Sequence, residues 1–144
     1  MGYKAIDIVP LSPTGPTTNI PSSKDVVTKV FSVTRSDTTS TLKCVIPADA
    51  NILSISKTGS ANSDAGTTAT VTLSISDNTG VISTGTAVDV KGAGTTTALV
   101  QMTNLPNIQP LPLTGDLKIS ATYAETGGAS TTGGPWYFIV LYVR

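Results

Sequence analysis

The sequence predicts an all-β protein: a single antiparallel β-sandwich, jelly-roll-like in connectivity, with an extended Pro-rich N-terminal arm. Three observations carry this. Apolar and polar residues alternate with a period of two over most of the chain. The polar positions are dominated by 25 Thr and 15 Ser, against one Glu and two Gln, a balance that favours strands and turns and is poor in helix formers. Turn residues punctuate the chain at short intervals, and no stretch reads as a helix. A length of 144 residues suits one domain with a real core, divided into an arm over 1–25 and a sandwich over 26–144.

The arm, "MGYKAIDIVPLSPTGPTTNIPSSKD", carries Pro10, Pro13, Pro16 and Pro21. Proline cannot donate to a ladder and disfavours helix, so an extended, irregular path is expected. Tyr3, Ile6, Ile8, Val9, Leu11 and Ile20 set it apart from a flexible Gly/Ser linker. An extended segment with apolar side chains lies along a surface, either its own domain's or a neighbour's.

The strands follow in order. "VVTKVFSVTR" sets Phe31 and Val33 against Ser32 and Thr34; "TLKCVIP" places Leu42, Cys44 and Ile46 on one face; "NILSISK" does so with Leu53 and Ile55. "TATVTLSIS" alternates Val71, Leu73 and Ile75 with threonine and serine. "TAVDVKG" and "TTALVQM" come next, then "DLKISATY" with Leu117, Ile119, Ala121 and Tyr123, and finally "WYFIVLYVR". About eight strands with hydroxyl residues facing out describe antiparallel sheets wet on one side. Two longer loops interrupt them. "NLPNIQPLPLTG" (104–115) reads as a stiff crossover, and "AETGGASTTGGP" (124–135) as a mobile, exposed loop of the kind that often carries function.

Several functions are disfavoured by composition. Nine basic and nine acidic residues leave no net charge and no basic stripe for phosphates, so no nucleic acid is expected as a partner. No apolar run approaches the ~20 residues of a spanning helix, so no membrane partner is expected either. The first ten residues lack a secretory pattern, position 6 is Ile where myristoylation wants Ser or Thr, and no asparagine opens a sequon. The lone Cys44 reads as a small core residue in a chain made in a reducing cytoplasm.

Histidine is absent, which removes the commonest general base and metal ligand, and with it the Ser-His-Asp and Cys-His arrangements. No Gly-rich phosphate motif or calcium-loop spacing occurs. Asp64, Asp77, Asp89, Asp116 and Glu125 are available as a carboxylate pair, but most sit in turn contexts where Asp bonds its own backbone. No enzyme, no cofactor and no metal site is expected.

The last strand raises a separate question. Trp136, Phe138, Val140 and Tyr142 share one face, and Tyr137, Ile139, Leu141 and Val143 the other. One face fills the core. The other would leave a contiguous apolar patch that monomers seldom tolerate, so its own loops, the arm, a neighbouring subunit, or more than one of these must cover it. Trp136, Tyr137, Ile139 and Leu141 are the candidate subunit-interface residues.

The run "VFSVTRSDTTSTLKCVIPADANILSISKTGSANSDAGTTATVTLSIS", with "TGDLKISATYAETGGASTTGGPWYFIVLYV", resembles small β-rich virion proteins of tailed bacteriophages, nearest in kind to head decoration (cement) proteins. The resemblance spans Val30 to Val143 in texture and order of segments and carries no catalytic or binding motif. It implies a homotrimeric sandwich on the outer surface of the capsid, clamping subunits of the major capsid protein of the same virion. Ile6, Ile8, Val9, Leu11 and Ile20 would then be the arm's capsid contacts. The rival expectation is a receptor- or glycan-binding domain of a tail fibre or spike, with the 124–135 loop as its site and Tyr3 and Tyr123 as the spare aromatic platforms. A tail adaptor is a third use of such a fold.

Overall fold

The computed structural model describes residues 25–103 and 115–144. Among them no helix occurs, and nine strands follow in chain order: β1 (Val26–Val33), β2 (Thr41–Ile46), β3 (Asn51–Gly59), β4 (Thr68–Ser76), β5 (Val81–Thr84), β6 (Val88–Asp89), β7 (Ala98–Leu99), β8 (Leu117–Thr126) and β9 (Trp136–Val143). They form two antiparallel sheets, one in the order β1-β9-β3-β7 and the other β2-β8-β4-β5, with β6 also pairing with β4. The pairs are nested: β4 with β5 innermost, then β3 with β7, β2 with β8, and β1 with β9 outermost. Successive pairs belong to alternate sheets. This is jelly-roll connectivity, and the predicted antiparallel sandwich is the observed fold.

The period-two pattern explains why the sheets face each other. Val71, Leu73 and Ile75 of β4 and Leu117, Ile119, Ala121 and Tyr123 of β8 are buried, while their polar neighbours point away. Opposite them lie Phe31 and Val33 of β1, Ile52 and Ile55 of β3, and Trp136, Phe138, Val140 and Tyr142 of β9. Burying each large side chain of this kind is worth roughly 1.5–3 kcal/mol. Phe31 and Phe138 face each other across the β1/β9 ladder with ring centroids 5.5 Å apart. Tyr123 and Trp136 stack between the two sheets at 5.4 Å, which joins the layers through their largest side chains.

Strict alternation fails at two bulges in the predicted strands, and a third register shift lies where β5 pairs with β4. Between Leu42 and Cys44 the register of β2 shifts, so Leu42 is 54% exposed instead of sharing the core face with Cys44 and Ile46. Between Ile52 and Ser54 of β3 a second shift turns Leu53 outward, and Ile52 takes its expected place beside Ile55. A bulge inserts one unpaired residue, and every residue before it then switches face relative to simple alternation. β5 was not anticipated. Its short run "VIST" follows a tight turn in which Asp77 N–H donates to Gly80 O and Gly80 has φ of 145°, a conformation that suits glycine. "TAVDVKG" and "TTALVQM" shrink to two paired residues each.

Lys57 lies on the inward row of β3, paired with Phe138, and is fully buried. Its ammonium donates to Ala93 O and to Gly94 O at 3.2 Å, tying the segment before β7 over the Trp136 end of the core. Burial pushes the Lys57 pKa down, partly offset by the Asp89 charge. Gly94 is needed there, since a Cβ would meet Val90 O at 2.6 Å and Ala61 O at 2.8 Å.

The two faces of the β1-β9-β3-β7 sheet should differ sharply in mutational cost. Phe138→Ala removes a fully buried ring and should destabilise by about 3–5 kcal/mol. Val30→Thr, on the other face, should change stability by less than about 0.5 kcal/mol. Urea unfolding midpoints of the two variants check this contrast.

Candidate assembly surface

β9 is the second strand of its sheet and pairs along its whole length with β1 on one side and β3 on the other. The residues of its outer face therefore have fixed neighbours. Val30 of β1, Ile139 of β9, Ser56 of β3 and Leu99 of β7 form one row across four strands. Thr28, Leu141 and Ser54 form the next; Val26, Val143 and Asn51 lie beyond it, and Ser32, Tyr137 and Thr58 lie on the other side. None of these residues is charged. Val26 is 61% exposed, Val30 59%, Leu99 65% and Tyr137 40%, while Ile139, Leu141 and Val143 are half-buried by their neighbours. Leu53, thrown out by the β3 bulge, lines a small groove of about 200 Å³ with Leu99 and Met102 at the margin of this face. The ion pair of Arg144 with Asp49, 3.4 Å, sits at the strand ends and leaves the face itself neutral.

The other sheet's outer face is of a different kind. Thr70, Thr72 and Ser74 of β4 stand opposite Ala124, Thr122 and Ser120 of β8. Hydroxyl groups dominate these two central strands, while Leu42 and Val45 of β2 and Val81 of β5, at the margins of the same sheet, are exposed.

Of the interface residues predicted from sequence, Tyr137, Ile139 and Leu141 lie together on the uncharged face. Trp136 does not. Its indole is fully buried inside its own sandwich against Tyr123 and donates from Nε1 to Ala61 O at 2.9 Å, so it offers nothing to a second subunit. The reason is the pleat: residues adjacent on a strand point to opposite faces. Ile6, Ile8, Val9, Leu11 and Ile20 lie outside the described residues, as does most of the 104–115 loop.

The 124–135 loop is exposed over much of its length, as expected, and side-chain hydrogen bonds anchor it to the sandwich. Glu125 Oε2 accepts from Ser130 Oγ at 2.6 Å, from Tyr123 OH at 2.6 Å and from Ser130 N–H at 3.1 Å. Asp64 accepts from Thr131 N–H at 2.8 Å, Thr131 Oγ1 at 2.6 Å and Thr132 N–H at 2.8 Å. Arg35 donates to Ser130 O at 2.5 Å. The glycines serve close approach: Gly127 has φ of 79°, and a Cβ on it would meet Thr67 Oγ1 at 2.0 Å. Tyr123 is buried with its hydroxyl enclosed by Glu125, Ser130 and Ser63, so it is no platform for a sugar ring.

The remaining acids are committed in the same way. Asp77 Oδ1 accepts from Thr79 N–H at 2.7 Å, Asp89 Oδ1 from Lys91 N–H at 2.8 Å, and Asp116 Oδ1 from Ala48 N–H at 3.1 Å. Among the described residues no group of three or more metal-ligating side chains assembles, and no helix is long and apolar enough to cross a membrane. A neutral sheet face thus lies in a domain whose loops are anchored by hydrogen-bonded carboxylates. No family model, no curated protein and no solved structure matches the chain.

The anchoring acids make stability depend on pH. Burial works to raise the Asp37 pKa, but the Lys43 ammonium at 2.8 Å and the Thr34 N–H outweigh it and hold it low. The Thr131 hydroxyl and Thr132 N–H hold Asp64 well below the carboxylate range, and the Ser130 and Tyr123 hydroxyls hold Glu125 down. A carboxylate whose pKa is lower folded than unfolded stabilises the fold above the unfolded value, and this is lost as pH falls. The urea midpoint should therefore drop as pH is lowered through about 5 to 3. Asp64→Asn should flatten that dependence, which titrated unfolding curves of both proteins would measure.

Proposed function

We propose that this protein is a non-enzymatic structural component of a phage particle that decorates the capsid and cements neighbouring capsid subunits. The observation that carries this reading is the neutral, apolar outer face of the β1-β9-β3-β7 sheet, in which Val26, Val30, Leu99 and Tyr137 face solvent in the isolated chain. A domain seldom leaves a group of large apolar side chains on one uncharged face without a partner. The acids support the same reading, since the five available carboxylates serve as acceptors for backbone and hydroxyl groups in turns and loops. A clamp of this kind needs rigidity and several attachment points more than reactivity. Weak contacts repeated over a lattice multiply into firm attachment.

In this reading residues 1–25 reach over adjacent subunits of the major capsid protein, with Ile6, Ile8, Val9, Leu11 and Ile20 as anchors. The sandwich stands on the outer surface of the shell, in copies that associate with each other. The rival use as a glycan-binding tip loses one of its two aromatic candidates to the core, because Tyr123 is 2% exposed.

Electron microscopy of intact particles with this protein labelled tests the assignment. Many copies spread over the shell are expected, and a few copies at one vertex would favour a tail component instead. A chain lacking residues 2–20 should fold, with an unchanged thermal transition, yet fail to co-sediment with expanded capsids. Retained co-sedimentation would remove the arm from the mechanism.

A further inference from the structure

We infer that the outer face of the β1-β9-β3-β7 sheet is the docking site for the same face of a second copy, packed sheet to sheet about a twofold axis. This rests on the structural reading above and names the first partner within it. Four observations select a second copy as the occupant.

The first is charge. The face carries no charged side chain, so two identical faces meet without repulsion, and a partner with a charged surface would lose solvation there without compensation. The second is relief. On β9 the branched side chains of Ile139 and Leu141 form a ridge, and directly beside them on β3 stand Ser56 and Ser54, a shallow trough. Ridge beside trough is self-complementary: a twofold axis running between β9 and β3 lays each copy's Ile139 and Leu141 over the other's Ser54 and Ser56.

The third is area. Strands of eight to nine residues are about 26 Å long, and three of them at about 4.8 Å spacing make a face of roughly 375 Å² in projection, which the two-residue β7 extends at one side. Two copies bury roughly 750 Å² of projected surface. Protruding side chains raise the accessible area past the ~1,000 Å² that a specific interface needs. Such a pair sits at the small end of stable interfaces, so a dissociation constant in the micromolar range is expected.

The fourth is the guarding of the neighbouring edge. β1 is the outer strand of its sheet and would otherwise invite edge-to-edge pairing. Lys29 stands on its inward row, opposite Val140, and its ammonium reaches across to Val45 O of β2 at 2.5 Å. An inward-pointing lysine closes the gap between the sheets and discourages an added strand. Association through the face is left open while association along this edge is hindered. A twofold pair differs from the trimer that the resemblance implies, and the two are separable by mass.

Sedimentation equilibrium of the full chain tests the proposal, with Leu141→Lys and Ser56→Arg as variants and Thr68→Arg, on the other sheet, as control. The expected result is a monomer–dimer equilibrium that both face variants weaken by about 30-fold or more, as loss of a central anchor does, while the control leaves it unchanged. Circular dichroism melts confirm folding. Ser56→Arg exchanges one exposed-face polar residue for another, so it keeps the test valid if Leu141→Lys fails to fold. A monomer at the highest soluble concentration, a trimer, or a dimer indifferent to both variants would overturn the proposal. So would a dimer that survives them but vanishes when residues 2–20 are deleted, which would make the arm the occupant. None of these outcomes bears on where the protein sits on a particle, so the two readings fail independently.

Discussion

A strand that is apolar on both faces has to be central in its sheet and covered on both sides, and the rest of this structure is arranged around that requirement. β9 satisfies the first half by inserting between β1 and β3, pairing with both over its whole length. The outermost nested pair of the jelly roll thus closes with the last residues of the chain. Without β9 the first sheet would fall into separate edge strands with no shared core face. Its inner side carries Trp136 and Phe138, two of the largest fully buried side chains, and Trp136 Nε1 donates to Ala61 O. Among the described residues no buried side-chain polar atom lacks a partner.

The second half of the requirement, cover on the outer side, is what separates the two sheets. The β2-β8-β4-β5 sheet meets water with threonine and serine in matched rows across β4 and β8. The same composition was available to the other sheet, and its β3 strand does carry Ser54, Ser56 and Thr58 on the outside. On β9 the outer row instead reads Tyr137, Ile139, Leu141 and Val143, and on β1 Val26 and Val30 alternate with Thr28 and Ser32. The contrast holds between the central strands, β9 against β4 and β8; the margins of both sheets carry exposed apolar residues, Leu42, Val45 and Val81 on one and Val26, Val30 and Leu99 on the other.

How much of this was readable in the sequence depends on which force decided each feature. Where burial alone set the pattern, as in β4 and β8, alternation placed Val71, Leu73, Ile75, Leu117, Ile119, Ala121 and Tyr123 correctly. Where backbone geometry intervened it did not: the bulges at Lys43 and Leu53 turn Leu42 and Leu53 outward, and alternation contains no term for an inserted residue. β5 escaped notice because its four residues depend on the Asp77–Gly80 turn for their pairing with β4. The outer-face residues Tyr137, Ile139 and Leu141 were legible from the pleat, yet naming Trp136 beside them ignored the same pleat. The roles of Asp64 and Glu125 were not legible. Their partners, Thr131, Thr132 and Ser130, lie in a glycine-rich loop whose path is set by tertiary packing, and a string of glycines reads as freedom until the atoms around Gly127 show how little space there is.

The placement of charge completes the argument. The chain has nine acidic and nine basic residues and no net charge, so no long-range field steers it toward a partner. The acids instead hold loops: Asp64 and Glu125 bind the 124–135 loop, Asp37 binds Lys43, and Asp77 and Asp89 close turns. Charge serves local order inside the fold, and the outer face of the β1-β9-β3-β7 sheet is left neutral. An interface made this way draws on the removal of apolar area from water, a force that salt does not screen. Its specificity then has to come from shape, which a rigid sheet with its bulges, serine trough and isoleucine–leucine ridge provides and a mobile loop would not.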